Sequence, residues 1–186
     1  ITRNDIGDLI GVTTTYFNEE STMVSGIDFE YKRFFNLKNY GELDLTIRGT
    51  NLIEFLTPGR NDVTCLALDC IQLIDRVGKF NFDSNTHALP ENRINAFIKW
   101  KFNNYIFGIN TRYIDGYTND TPIPSASIDR GYSNEVDSSF LLDFSVDLPL
   151  SDLFTIDTMG GDYELKTNFA IINLFDEDAP RLYDAP

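Results

Sequence analysis

The sequence predicts an all-β fold: an antiparallel up-and-down sheet of about seven long strands. Three observations predict it. Apolar and polar residues alternate with a period of two along most of the chain, as they do in a strand whose successive side chains point to opposite faces. The alternating runs reach about ten residues, against the ~5–6 usual in soluble domains. Between the runs, short turns alternate with long loops rich in Asp, Asn, Gly, Ser and Pro.

Taken in order, residues 8–18 form a weak first strand. Residues 23–35 set Ile27, Phe29 and Tyr31 against Asp28, Glu30 and Lys32. A short turn at 36–41 leads to residues 42–50, where Leu43, Leu45 and Ile47 oppose Glu42, Asp44, Thr46 and Arg48. The first long loop, 57–90, follows. Within it Val63, Leu66, Cys70, Leu73 and Val77 recur at helical spacing, which predicts a short helix. In a regular helix Cys65 and Cys70 would lie about 8 Å apart, beyond the ~7 Å a disulfide spans. Either the helix starts after Cys65 and the pair closes a small loop, or the thiols stay free; in an exported protein the disulfide is the expected state. Residues 91–114 read as a hairpin turning at Asn103-Asn104. Its first arm aligns Ile94, Ala96, Ile98, Trp100 and Phe102; its second aligns Tyr105, Phe107, Ile109, Thr111 and Tyr113. The second long loop, 115–137, precedes residues 138–148, with Phe140, Leu142, Phe144, Val146 and Leu148 opposite Asp143, Ser145 and Asp147. Residues 163–172 close the series, with Tyr163, Leu165, Thr167, Phe169 and Ile171 on one face.

Composition narrows the function classes. The 186 residues carry a formal charge of −14, which opposes nucleic-acid binding through phosphate contacts. Hydrophobic residues make up 42% and aromatics 13%, too much for a disordered chain. No apolar run approaches the ~18–20 residues of a membrane helix. Two cysteines and the single His87 leave little material for zinc sites or histidine catalysis. The chain starts at Ile1 and stops at Pro186 in what reads as mid-loop, so a piece of a longer protein is expected.

One face of each run is aliphatic and aromatic, and the other is charged. Two environments accept such strands. A soluble β-sandwich buries the apolar face against a second sheet. A membrane barrel turns it to lipid and keeps the charged face in a wet lumen. Strand length favours the barrel, as do two long loops uncommon in compact sandwiches. Short turns on one rim and long loops on the other are also the habit of outer-membrane barrels. Tyr31, Phe34, Tyr105, Tyr113 and Tyr163 suit interface girdles. Residues 1–186 are thus expected to form a segment of a transmembrane β-barrel with no internal domain boundary. The alternative is a secreted β-sandwich that binds carbohydrate.

Particular residues carry a family resemblance. Gly26-Ile27-Asp28-Phe29-Glu30 resembles the glycine–aliphatic–acid strand of TonB-dependent outer-membrane receptors. Pro90, Arg93 and Trp100, then Arg112-Tyr113-Ile114-Asp115 and Tyr117, are similar to a hairpin in the C-terminal half of their barrels. Asn173-Leu174-Phe175-Asp176, after a strand and before Pro180, resembles the signature near the receptor C-terminus. The resemblance covers essentially the whole chain. It implies part of a barrel of roughly 22 strands plugged by an N-terminal domain, of which about seven strands alone form an open, curved sheet. The chain departs from that pattern in showing no plug, no TonB box and no final strand ending in an aromatic residue. Its strands are expected just before the last one, with loops 57–90 and 115–137 outside the cell.

The resemblance implies TonB-energised uptake of a scarce ligand across the bacterial outer membrane: an oligosaccharide, a ferric siderophore or a cobalamin. Expected partners are that ligand, outer-membrane lipid, and the TonB complex acting through the missing plug region. Loop residues His87, Tyr117 and Tyr132 are the candidate ligand contacts. Acid-rich loops, including Asp115, Asp129, Glu135 and Asp137, repel anions and favour a neutral carbohydrate. Asp176, Glu177 and Asp178 read as a solvated loop in preference to a calcium site. Asp28, Glu30, Arg48, Lys99, Lys101 and Arg112 are expected to pair across strands. No Ser/His/Asp constellation or phosphate loop stands out, so no catalytic site, metal or cofactor is expected.

Overall fold

The computed structural model describes residues 2–4, 6–11, 22–60, 71–81, 87–120, 123–150 and 165–180. Its strands are β1 (Thr2–Arg3), β2 (Leu9–Gly11), β3 (Met23–Asn36), β4 (Glu42–Arg60), β5 (Ile71–Asp75), β6 (Asn92–Phe102), β7 (Tyr105–Ile114), β8 (Tyr117–Thr118), β9 (Glu135–Val136), β10 (Ser139–Pro149) and β11 (Lys166–Ile171). A short helix, α1 (Ser125–Ile128), lies in the loop before β9. The main sheet has seven strands in the order β11-β10-β7-β6-β4-β3, with β5 paired to the upper part of β4. Every pairing is antiparallel, and the sheet stays open, with β3 and β11 as its edges. This is the predicted up-and-down arrangement.

Turn chemistry sets the short rim. Asn36 Oδ1 accepts from Lys38 N at 2.9 Å, which starts a 3₁₀ turn over Lys38–Tyr40. Gly41 ends it at φ 87°, and a Cβ there would collide with Lys101 O. Asn103, at φ 53°, turns β6 into β7.

Two expectations need correction, and another is seen only in part. Of the weak strand at 8–18, Leu9–Gly11 is strand and pairs with β1 in a separate two-stranded sheet; residues 12–18 lie outside the described set. The strand expected at 42–50 runs on to Arg60. The helix expected within 57–90 does not form over residues 71–75, which are strand β5, hydrogen-bonded to residues 56–60. Upper β4 continues past the end of β6 with an open edge, and pairing satisfies its backbone groups where a helix would not. Cys65, Cys70 and Tyr163 lie outside the described residues. No helix among the described residues is long and apolar enough to cross a membrane, which says nothing about strands.

The register stacks like on like. Phe29, Gly49, Ile94, Tyr113 and Phe140 form one row across five strands, and Leu45, Ile98, Ile109, Phe144 and Ile171 form a lower one. All belong to one apolar face, whose exception is Arg33 on β3, opposite Leu45, with its guanidinium 5.6 Å from the centre of the Phe35 ring. The other face carries the rows Glu30, Arg48, Asn95, Arg112 and Lys32, Thr46, Phe97, Asn110, Asp143. Here the expected cross-strand pairs occur in part. Glu30 binds Arg48 and, at 3.1 Å, Lys32. Arg112 lies 3.5 Å from Asp143, and Thr50 Oγ1 donates to Asp28 Oδ1 at 2.6 Å. No second sheet packs on Trp100 or Phe144 among the described residues, and Phe29, Tyr31, Phe140 and Phe169 stay exposed.

Candidate functional site

Ordered loops gather at the long-loop rim. Past Asp115-Gly116 the chain forms β8, which pairs with β9 through Tyr117–Val136 and Thr118–Glu135. Thr118 also takes up the other side: its N–H donates to Gly78 O at 2.8 Å, and its carbonyl accepts from Phe80 N at 2.9 Å. Residues 78–80, 117–118 and 135–136 thus make a small three-stranded layer. Asn81 anchors one end of it. The carbonyls of Arg76, Lys79 and His87 lie 3.0, 3.1 and 2.9 Å from its buried Nδ2 and share its two N–H groups. Arg76, also buried, donates from Nε to Thr57 Oγ1 at 2.9 Å.

Two clefts open beside this layer. The larger, about 560 Å³, lies between residues 130–138 and 177–180 and is lined by Arg130, Tyr132, Glu135, Asp137, Glu177 and Asp178 among others. The smaller, about 380 Å³, is lined by Gly78, Asp115, Tyr117 and Thr118 and shares Glu135, Asp137 and Ser138 with its neighbour. Burial raises the Tyr117 phenol above its ordinary value, so it stays a neutral donor. The expected contacts therefore divide. Tyr117 and Tyr132 line adjoining clefts. His87 lines neither; its side chain is exposed, and at φ 59° its part is to present a carbonyl to Asn81.

Glu177 and Asp178 reach the larger cleft through the Asn173–Asp176 turn, a role their sequence position did not suggest. Asn173 N donates to Asp143 Oδ1 at 2.9 Å, and Leu174 N donates to Leu142 O at 2.7 Å. Asn173 Oδ1 then accepts from Glu177 N, and its Nδ2 donates to Glu177 O, both at 3.0 Å. With Asn173 and Asp176 both at positive φ, the chain leaves the sheet and crosses toward residues 130–138. The signal was present in the Asn and Asp flanking this turn, residues that tolerate left-handed backbone.

Chemically, the larger cleft offers carboxylate acceptors, the Tyr132 ring and the Arg130 guanidinium. Carboxylates in the majority repel anions and accept hydrogen bonds from hydroxyls or amines. Among the described residues no three His, Cys, Asp or Glu side chains are grouped to hold a metal ion. On the polar face a third depression, about 470 Å³, is lined by Asp28, Glu30, Arg48, Thr50, Arg93 and Asn95. Comparison with protein-family models, curated proteins and solved structures finds no match to this chain.

Proposed function

We propose that the chain is part of the wall and outer loops of a TonB-dependent outer-membrane receptor, which takes up a scarce ligand held at the long-loop rim. One observation carries this reading. Five long antiparallel strands and the shorter β11 register so that their apolar residues line one face, with Arg33 on β3 as its charged exception, and no protein layer covers that face among the described residues. Water is a poor solvent for such a face and lipid a good one. The paired charges behind it suit a wet lumen. Tyr117, Tyr132 and the surrounding hydrogen-bonding groups are the ligand contacts in this reading, with a carbohydrate favoured over an anion by the carboxylates. A phase-separating detergent tests it on the full chain. The protein should enter the detergent-rich phase and sediment when detergent is removed. A monodisperse, water-soluble monomer would sink the proposal.

A further inference from the structure

The apolar face stops short of the strand ends. β3 and β4 pair in step from Asn36–Glu42 up to Gly26–Leu52, and then the register jumps. Ser25 lies opposite Glu54, which leaves Ile53 as the extra residue of a β-bulge. Strict alternation would turn Ile53 and Phe55 to the apolar face and Glu54 away from it. Absorbing Ile53 reverses this. Glu54 comes to that face beside Ser25, whose Oγ donates to Glu54 Oε2 at 3.4 Å. Phe55 turns to the opposite face, together with buried Thr57 and its partner Ile74. Gly26 permits the jump, because a Cβ there would stand 2.8 Å from Asn51 O.

At the same height the neighbouring strands also become polar. Asn51 shares the face of Ile47, Asn92 that of Ile94, and Asp115 that of Tyr113. Asn51 Nδ2 donates to Asn92 Oδ1 at 2.8 Å, Asn92 Nδ2 to Asp115 Oδ2 at 2.9 Å, and Tyr113 OH to Asp115 Oδ1 at 3.0 Å. A hydrogen-bonded belt of amides and carboxylates thus crosses β3, β4, β6 and the end of β7. Everything below it on that face of β6 and β7, from Ile94 and Tyr113 to Phe102 and Tyr105, is apolar apart from Thr111 and the Tyr hydroxyls. Carboxylates and amides at such density do not face hydrocarbon.

We propose that this belt is the upper edge of the lipid-covered surface, fixed by the Gly26–Ile53 bulge, with headgroups at Ser25, Glu54, Asn51, Asn92 and Asp115 and acyl chains below. The assignment rests on the membrane reading above. The height fits: Ile94 to Phe102 spans about 27 Å at ~3.4 Å per residue. A strand tilt of ~40° reduces that to about 21 Å, close to the ~25 Å apolar band of outer-membrane barrels. The lower edge carries Trp100, which stacks on Phe107 and Phe102 at 5.0 and 5.7 Å and donates from Nε1 to Tyr40 O at 2.8 Å. Trp at such a boundary keeps its ring in the apolar layer and its N–H satisfied.

Spin-label accessibility tests the belt in the full chain folded into phosphatidylcholine vesicles. Labels go on single cysteines (Phe29→Cys, Tyr31→Cys, Ser25→Cys, Glu54→Cys) in a background with Cys65→Ser and Cys70→Ser. All four sites are exposed, so labelling displaces no core. Quenching of Trp100, the one tryptophan, by brominated lipid reports independently whether the face meets acyl chains. The expected result is Trp100 quenching, oxygen-dominated collisions at positions 29 and 31, and a ratio several-fold lower at 25 and 54, where a water-soluble nickel chelate dominates. Trp100 quenching with oxygen dominating at all four positions overturns the belt and leaves the membrane reading standing. No quenching, with chelate dominating at positions 29 and 31, overturns the membrane reading and the belt with it.

Discussion

The wall and the loop layer solve the problem of stability in opposite ways. In the wall, side chains as large as Phe29, Phe140 and Phe169 keep 43%, 44% and 59% of their surface exposed, and the strands are held by backbone ladders and cross-strand pairs. In the loop layer, Asn81 and Asn119 keep 1%, Arg76 4% and Val136 5%. Val136 is the one buried hydrophobic residue among those described, so the loop layer is organised around polar groups: Asn81 Nδ2 and Arg76 Nε donate within it, while Asn81 Oδ1 is buried without a partner among the described residues. A sheet wetted on both faces gains little from burial. The wall therefore depends on what covers its apolar face, whereas the loop layer carries its own interior.

The largest expected effect breaks the wall alone. Ile98 sits in the middle of the apolar band, in the row of Leu45, Ile109 and Phe144. Ile98→Arg should cost about 2–4 kcal/mol in lipid, and Phe102→Arg only ~0–1 kcal/mol, because Phe102 stands at the short-turn rim beside Trp100. Urea titration of the vesicle-folded protein measures both, and equal tolerance at the two positions would contradict the lipid-facing assignment. Next comes the joint between the two regions. Asp143 accepts from Asn110 Nδ2 at 3.1 Å and from Asn173 N at 2.9 Å, and lies 3.5 Å from Arg112. Asp143→Ala should cost about 1–3 kcal/mol and should also release residues 176–180 from the cleft. Amide exchange there should quicken while β6 and β7 stay protected; uniform quickening would mean that Asp143 serves the wall only.

How far these regions were legible in the sequence follows the same division. The wall was legible because period-two alternation persists over strands as long as Asn92–Phe102, and the cross-strand register merely lines up faces already set. Upper β4 was not, because the bulge at Ile53 breaks the period and Pro58-Gly59 imitates a loop. β5 was misread because Leu73 and Val77 fit a helical spacing, while the open edge that recruits the strand is invisible to local pattern. At the site, aromatic loop residues pointed to Tyr117 and Tyr132, which line adjoining clefts. They also drew attention to His87, whose contribution is a carbonyl. Glu177 and Asp178 depend on a tertiary contact between Asn173 and Asp143, thirty positions apart, that no spacing encodes.

Asn81→Ala should touch the loop layer alone. It removes the donor shared by the carbonyls of Arg76, Lys79 and His87 and should cost about 1–2 kcal/mol. Limited proteolysis near residue 81, with the sheet intact, is the expected signature; loss of the sheet would show that the two regions do not stand apart.

The smallest effect tests the polar face. Lys99 lies opposite Asp44 in the β4–β6 register, yet its side chain is exposed and makes no ion pair among the described residues. An exposed charge without a fixed partner contributes little, because solvent competes for both members and holding a long side chain in place costs entropy. Lys99→Ala should therefore change stability by no more than ~0.5 kcal/mol in the titration that resolves Ile98→Arg one position away. Neighbouring residues on a strand face opposite media, so a large and a negligible cost at consecutive positions is what one wet face and one lipid face demand. A loss above ~1 kcal/mol at Lys99 would mean that the polar face is itself packed against something.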